Sequence, residues 1–413
     1  MKALRGELMS LEEQRSLIQF CKEKGIPLST VLQKKGYTYD NLRYESYDGQ
    51  TAFPQEMRQA ITRIEDVPKY SDGIPAVSFF AGAGGLDIGF SYAGFNTIAS
   101  IELAELFCDT LRKNNEDKIV IGPPLYSGDV SKHDEIASIL TDVVGIKKGF
   151  DGVFHGGPPC QPFSIASNQR FNKSGENFKR KGFDDAEKGN LLFDYLWFIR
   201  EFMPKGFLIE NVGGLLELDS DGRVGLALKQ LQELGYSISK PQVINATYYG
   251  VPQNRNRCII LGVRGNVAPL LPEPNPYPAP CGPIFERSIE GALNHITREH
   301  NAESIERYMR LPYGGRDHLG RVDRLDPNLP SKTVIAGGTK GGGRSHLHPY
   351  SPRTLSVREC ARLQTFPDDY EFTGAVARQF TQVGNAVPPL LAYKLALALK
   401  EALNKNGCSD LFA

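Results

Sequence analysis

Short apolar runs alternate with helix-length segments through the middle of the chain. These runs begin at residue 76, and residues that favour turns separate them. The five clearest are AVSFF (76–80), TIAS (97–100), GVFH (152–155), GFLIE (206–210) and CIILGV (258–263). Strands that alternate with helices form a parallel sheet with helices on both faces. The pattern therefore predicts an α/β fold for residues 75–264.

The flanking regions have a different pattern. Residues 1–70 are polar and form an expected helical extension, with apolar residues at helical spacing in 11–24 and a second short helix at 30–35. After Asn266 the prolines of PLLPEPNPYPAPCGP exclude a regular element, so a domain edge is expected there. Further helices are predicted at 302–311, 356–364 and 388–403.

Composition excludes several classes of protein. The 413 residues are 40% hydrophobic and 23% charged, which is typical of a soluble globular chain. We expect a cytoplasmic protein, because no apolar run is long enough to span a membrane and the N-terminus does not resemble a secretory signal. Reduced thiols are expected, because the cysteines are odd in number and never form a CxxC pair. They are Cys21, Cys108, Cys160, Cys258, Cys281, Cys360 and Cys408.

Net charge is zero, yet basic residues cluster in two runs. The first holds Arg170, Lys173, Lys179, Arg180 and Lys181, with Glu176 as its one acid. The second lies between Pro327 and Arg358, contains no Asp or Glu, and holds Lys332, Lys340, Arg344, Arg353 and Arg358. Each run is either a solvated face or part of a track for phosphate groups.

A glycine-rich turn follows the first predicted strand. Gly82, Gly84 and Gly85 allow a sharp backbone turn and close approach of a ligand to the amides of the next helix. Glu102 stands twenty residues after Gly82, at the end of the next strand, where a carboxylate can accept hydrogen bonds from ribose hydroxyls. This spacing favours a nucleoside cofactor over a plain tight connection. Asp129 is either an acceptor for an adenine amine or an ordinary helix cap.

Cys160 lies just beyond the strand GVFH, between prolines that prevent a helix. A lone cysteine is more often a small buried apolar residue than a nucleophile, but this rigid stretch at a strand end favours a site. Glu210 ends the next strand and is either a helix cap or a proton carrier in a partly apolar cleft. Arg255 and Arg257 are expected on one side of the following strand, for phosphate or base contacts.

Six segments occur in the order typical of DNA cytosine-5 methyltransferases. They are FFAGAGGLDIGF, GGPPCQPFS, ENV, QNRNR, PRTLSVRECARLQTFPDDY and QVGNAVPP. The chain therefore resembles this family, of the bacterial restriction-modification type, over roughly residues 75–400. The resemblance implies a Rossmann-like S-adenosylmethionine-dependent methyltransferase sheet. It also implies a catalytic domain at 75–264, a small target-recognition region at 265–352 and a C-terminal segment, 353–413, that returns to the catalytic domain.

The resemblance further implies a covalent mechanism on a flipped cytosine. Cys160 would add to C6, Glu210 would hold and protonate N3, Arg257 would contact O2, and Arg255 would support the cleft. The implied S-adenosylmethionine site consists of Phe80, Gly82, Gly84, Gly85, Leu86, Glu102, Asp129, Pro159 and Asn385. The implied DNA-binding residues are Gln161, Ser164, Lys179, Arg180, Lys181, Lys340 and Arg344. One departure is Ser78, since many members have an acidic residue there.

The expected partners are double-stranded DNA and, functionally, a restriction endonuclease. A transfer RNA methyltransferase is the nearest alternative, but the chain lacks the Cys-Phe-Thr signature of that branch. A catalytically inactive binding module would have lost Cys160 or Glu210, and a nicotinamide-dependent oxidoreductase would not explain PPCQP or ENV. For residues 1–70, a lid or DNA-contacting arm and a packing extension are both open, and the second is favoured.

Overall fold

The protein is described here by a computed structural model that covers residues 8–46, 63–159, 191–215, 222–336 and 346–407. The chain divides into two compact units. The first consists of Met1–Asp66, Thr247–Asn254 and Asn275–Asn385. The second consists of Val67–Ala246, Arg255–Pro274 and Ala386–Ala413.

Eight strands form one sheet in the second unit, and two form a small hairpin in the first. The sheet strands are β1 Tyr70–Phe79, β2 Ala93–Ile101, β3 Ile119–Ile121, β4 Val153–Gly156, β5 Gly206–Val212, β6 Tyr236–Ile238, β7 Gln242–Asn245 and β8 Asn256–Arg264. The hairpin strands are β9 Arg316–Asp317 and β10 Val322–Asp323.

Helices account for most of the remaining regular structure. They are α1 Leu11–Lys24, α2 Leu28–Lys34, α3 Gly85–Tyr92, α4 Glu105–Asn114, α5 His133–Asp142, α6 Leu191–Phe202, α7 Arg223–Glu233, α8 Gly282–Phe285, α9 Ala302–Met309, α10 Val357–Leu363, α11 Val376–Asn385 and α12 Pro389–Gly407.

The sheet order is β3-β2-β1-β4-β5-β8-β6, with β7 also paired to β8. The five strands from β3 to β5 are parallel, as the alternating pattern predicted. The chain runs outward from β1 to β3 and then returns to place β4 on the other side of β1. Ligand sites form at the carboxyl ends of the strands where the order reverses in this way. The β1–β4 crevice is therefore the expected site.

The parallel arrangement does not extend to the whole sheet, and this part of the prediction was wrong. β8 pairs antiparallel with β5, β6 and β7. Parallel strands need a crossover of a dozen or more residues, usually through a helix. The connection from β7 to β8 contains only a short helical turn at Ala246–Tyr249, so the chain has to reverse direction.

All five predicted sheet strands are present, and the predicted helix at 11–24 is α1. Ser10 starts α1 because its side chain accepts from the Glu13 amide at 3.2 Å, and Gly25 ends it with φ 63°. The helices at 30–35, 302–311, 356–364 and 388–403 are confirmed with shifted ends. The sequence did not predict α11 or the edge strands β6 and β7.

In the first unit, residues 9–42 pack on residues 302–322 and on Leu347. Their shared core includes Leu17 and Ile18 of α1 and Ile305 and Met309 of α9, all buried. The Lys22 ammonium also lies 2.8 Å from the Glu306 carboxylate. Residues 8–46 thus share a core with the rest of the first unit, and their role stays a prediction.

Candidate active site at the carboxyl edge of the sheet

The turn after β1 has an unusual backbone. Phe80 has φ 53°, a left-handed conformation that bulky residues rarely adopt. Gly82 and Gly84 follow with φ 55° and 78°, and Gly84 is the N-cap of α3. Strained backbone of this kind clusters at binding and catalytic sites. The conformation of the turn therefore supports the site that its glycines predicted.

Glu102 secures this turn from the end of β2. One carboxylate oxygen accepts from the Gly82 amide at 2.8 Å, and the other accepts from the Ala104 amide at 2.8 Å. Burial raises the pKa of Glu102, against the lowering effect of these amide hydrogen bonds. The predicted ribose acceptor is thus also an anchor of the glycine-rich turn.

Two of the predicted cofactor residues have a packing role in the fold. A Cβ atom on Gly85 would collide with the Val387 carbonyl, so only glycine lets α3 approach the segment before α12 this closely. Leu86 is 4% exposed and belongs to the core. Their contact with a cofactor stays a prediction.

The ends of β2 and β3 also carry residues that the sequence analysis missed. Leu103 follows Glu102 and is 61% exposed, and Leu125 is 71% exposed. Exposed apolar side chains beside a carboxylate that is predicted to bind ribose suit the face of a purine ring. Asp129 accepts from the Ser131 amide at 3.0 Å and from the Ser131 hydroxyl at 2.7 Å, which forms a local turn. The N-cap of α5 is Lys132, so the helix-cap hypothesis for Asp129 was wrong. Its adenine contact stays a prediction.

Glu210 lies at the end of β5 and is 7% exposed. Its Oε1 is 2.6 Å from Nε of Arg257, which the antiparallel strand β8 brings alongside. A Cβ atom added to Gly157 would lie 2.8 Å from Glu210 Oε2. Gly157 belongs to the GGPPC segment, so the Glu210 carboxylate occupies the space that a side chain three residues before Cys160 would need. The predicted acid and the root of the predicted nucleophile loop are therefore together.

Neighbouring residues fix this arrangement. The Asn211 amide lies 3.5 Å from the Pro158 carbonyl, which adds a weak tie between β5 and the same loop. Pro159 is exposed beyond it. Arg255 is 2% exposed and donates to the Ala386 carbonyl at 2.8 Å. Because Arg255 is buried, the hypothesis that it contacts phosphate was wrong. Its burial is consistent with the predicted role of supporting the cleft.

Gln253, at the start of QNRNR, has a structural role that the sequence did not predict. Its side chain is fully buried, donates to Gln364 Oε1 at 2.9 Å, and accepts from the Val334 amide at 2.8 Å. Gln364 in turn donates to the Val383 carbonyl at 2.7 Å. These buried amides join three of the motif segments within the first unit. Only the fold could reveal this, since the segments are far apart in sequence.

The second basic run is not a continuous phosphate track. Arg353 is 1% exposed and donates to Asp40 and Glu359, each at 2.7 Å. Arg358 is fully buried and donates to the carbonyls of Leu293 and Pro367. Both arginines are buried and bind other residues of the first unit. The hypothesis that they contact phosphate groups was therefore wrong.

Several predicted residues lie outside the described ranges. They are Cys160, Gln161, Ser164, Lys179, Arg180, Lys181, Lys340 and Arg344. Asn385 is described as the last residue of α11 in the first unit, and its cofactor contact stays a prediction. Within the described part of the chain, five cysteines are free and buried, and no cluster of metal-binding side chains occurs.

Glu102 offers a first test of the cofactor site. Replacing Glu102 with alanine removes acceptors for the ribose hydroxyls and for the Gly82 amide. We expect S-adenosylmethionine binding to weaken by about 1–3 kcal/mol, the range for a charged hydrogen bond. Calorimetric titration measures this, and DNA binding without cofactor should barely change. A wild-type cofactor affinity would remove Glu102 from the site.

The chain is similar to known proteins over most of its length. The family model described as C-5 cytosine-specific DNA methylase matches residues 74–401. The type II methyltransferase M.PspPI of Psychrobacter sp. (strain TA137) is 32% identical over 91% of this chain and 89% of its own. M1.HphI of Haemophilus parahaemolyticus, also a type II methyltransferase, is 33% identical over 82% and 89%. The crystal structure of a prophage-encoded Escherichia coli protein matches 80% of this chain with a TM-score of 0.65 at 22% identity, which shows the shared fold.

Proposed function

From the premise that this chain belongs to the C-5 cytosine-specific DNA methylase family, we propose that it methylates carbon 5 of a flipped cytosine in a specific duplex DNA sequence. The observation that carries the proposal is the position of Glu210, which pairs with Arg257 and fills the space where a side chain at Gly157 would lie. It places Glu210, the proposed proton carrier in β5, next to the segment that leads to Cys160. The same sheet edge holds the glycine-rich turn and Glu102.

The residues present fit S-adenosylmethionine. Glu102 offers a carboxylate for the ribose, Phe80 and Leu103 offer apolar surface for the adenine, and the turn is partly exposed at Gly82. When bound, S-adenosylmethionine supplies the methyl group as an electrophile. The chain's part is to hold it at the β1 turn, next to the strand that leads to Cys160.

The protein's own groups then activate the base. The Cys160 thiolate forms a bond to C6 of cytosine while the protonated form of Glu210 gives its proton to N3, and C5 becomes nucleophilic. Glu210 is left as the carboxylate that pairs with Arg257. After C5 is methylated, its proton leaves to a base, the bond between sulfur and C6 breaks, and N3 returns its proton to Glu210. Arg257 holds the Glu210 carboxylate and contributes positive charge beside cytosine O2.

The biological setting follows from the relatives. Because the two most similar ones cited above are type II methyltransferases, we propose that this chain modifies DNA in a bacterial restriction-modification system, in the cytoplasm. A cognate restriction endonuclease would recognise the same sequence. The described residues include no helix long and apolar enough to cross a membrane.

The direct test compares substrates. Purified protein is incubated with labelled S-adenosylmethionine and either duplex DNA of varied sequence or bulk transfer RNA. The proposal predicts label in 5-methylcytosine of DNA alone. Incorporation into transfer RNA alone would support the RNA alternative, and none into either would support an inactive binding module.

The first basic run, which holds Lys179, Arg180 and Lys181, gives a second prediction. Replacing Lys179, Arg180 and Lys181 with alanine should reduce the slope of log affinity against log salt by about 2–3, since each neutralised phosphate contributes about 0.9. Fluorescence anisotropy with target duplex at several salt concentrations measures the slope. The control replaces the exposed Lys147 and Lys148, near the amino end of β4 and thus away from the site. An unchanged slope in the triple variant would show that this basic run is only a solvated surface.

A further inference from the structure

A buried ion pair lies behind the glycine-rich turn. Asp87, in the first turn of α3, is 4% exposed, and its Oδ2 accepts from the Lys118 ammonium at 2.7 Å. The same oxygen accepts from the Ser100 hydroxyl of β2 at 2.6 Å. Asp87 thus fixes the first turn of α3 to two other segments, one in β2 and one just before β3.

A row of buried polar side chains crosses the sheet at the same level. Ser78 on β1 is opposite Ser100 on β2 and His155 on β4, and all three are fully buried. His155 stacks on Phe90 of α3 with ring centroids 4.1 Å apart. The described residues offer no hydrogen-bond partner to the Ser78 hydroxyl or to Asp87 Oδ1. Buried polar atoms without a partner are rare and call for an explanation.

The charges in this cluster balance as one anion and one cation. Burial alone would raise the pKa of Asp87, but the Lys118 ammonium and the hydrogen bond from Ser100 lower it to about 2, so the carboxylate is ionised. Burial lowers the pKa of His155 to about 4, so the imidazole is neutral. Lys118 is therefore a buried cation that depends on Asp87, because an unpaired buried charge is strongly unfavourable.

The cluster also has a specific place in the chain. Ser78 is two residues before Phe80, and Asp87 is two residues after Gly85. Both ends of the glycine-rich turn are therefore attached to it, one through β1 and the other through α3. A change here would displace the turn without removing any residue that contacts the ligand.

We propose that Asp87 is a positioning residue for the cofactor turn, and that it provides from α3 the buried carboxylate that could otherwise stand at position 78 of β1. This inference rests on the proposed binding of S-adenosylmethionine at that turn. It explains why position 78 can be a serine instead of an acidic residue. The cluster contains one lysine, Lys118, and Asp87 already supplies the one carboxylate that pairs with it. It also implies that the two positions can exchange roles.

The test is a set of variants at these two positions. Asp87→Asn is expected to weaken S-adenosylmethionine binding at least about tenfold, because the ion pair with Lys118 that fixes the first turn of α3 is lost. A factor of ten corresponds to about 1.4 kcal/mol. Ser78→Asp combined with Asp87→Asn restores one carboxylate opposite Ser100, the hydroxyl partner of Asp87, and should bring the dissociation constant back to within about threefold of wild type. Calorimetric titration gives the affinities, and thermal melts give the stability of each variant.

The control is Asp72→Asn, which breaks the Asp72–Lys400 pair of the same unit, 2.8 Å apart and away from the turn. It should leave the cofactor affinity unchanged. If Asp87→Asn does not fold, Asp87→Asn with Lys118→Met removes both charges and leaves none unpaired. The double variant should fold and still bind S-adenosylmethionine at least about tenfold more weakly.

Each outcome decides one point. A lower melting temperature with unchanged cofactor affinity in Asp87→Asn would show a structural role only and overturn the positioning role. Loss of affinity that Ser78→Asp does not restore would overturn the exchange of carboxylate positions. If the wild-type protein itself fails to bind S-adenosylmethionine, the proposed function is wrong, and that result is separate from the behaviour of the variants.

Discussion

Replacing Cys160 with serine is expected to abolish methyl transfer to DNA, with a loss of turnover of at least about a thousandfold. A serine hydroxyl is a far poorer nucleophile near neutral pH than a thiol that is partly ionised. Binding of S-adenosylmethionine should be unchanged, since its proposed site is at the β1 turn and Glu102. Single-turnover methylation of a duplex substrate measures the first effect, and calorimetry the second.

The control for this variant is Cys21→Ala, which removes a buried thiol of α1 in the first unit. Burial raises the pKa of Cys21, so that thiol is unsuited to attack. Its loss should leave turnover near wild type. Turnover retained in Cys160→Ser would assign the nucleophile to another residue.

Glu210→Gln is expected to reduce turnover by about 10²–10⁴, the usual contribution of a positioned general acid. The amide keeps the shape of the side chain but cannot deliver the proton to N3, and it removes the ionic partner of Arg257. Cofactor affinity should stay within about twofold, because the role of Glu210 arises only as charge develops on the base.

The matched control is Glu401→Gln, an exposed carboxylate of α12 paired with Lys405. It makes the same chemical change away from the site and should leave turnover unaffected. A Glu210→Gln variant as active as this control would contradict the proposed proton transfer.

The sequence predicted the parts of the site that depend on strand ends. Parallel strands bring their carboxyl ends to one edge, so Glu102 after β2 and Glu210 in β5 could be expected at that edge from alternation alone. The packing role of Gly85 was not predictable in this way. It depends on contact with Val387, some three hundred residues later, and local patterns carry no information on such a pair.

Long-range partners also explain why the phosphate contact predicted for Arg353 was wrong. Arg353 stands in a run without acidic residues, so the local sequence suggested a phosphate contact. Its partner Asp40 comes from the N-terminal extension, far away in the chain. The antiparallel strand β8 has a different cause, since its direction is set by the short connection from β7. Apolar character alone predicts that a strand exists and says nothing of its direction.

The most direct test of the account is covalent trapping on a modified duplex. DNA that carries 5-fluorocytosine at the target position can accept the methyl group, but fluorine cannot leave C5 as a proton does, so the bond between Cys160 and C6 should persist. A denaturing gel should show a protein–DNA adduct that requires S-adenosylmethionine and is absent for Cys160→Ser. An adduct of undiminished intensity with Cys160→Ser, or none with the wild-type protein under conditions of active methylation, would contradict the assignment of Cys160 as the nucleophile.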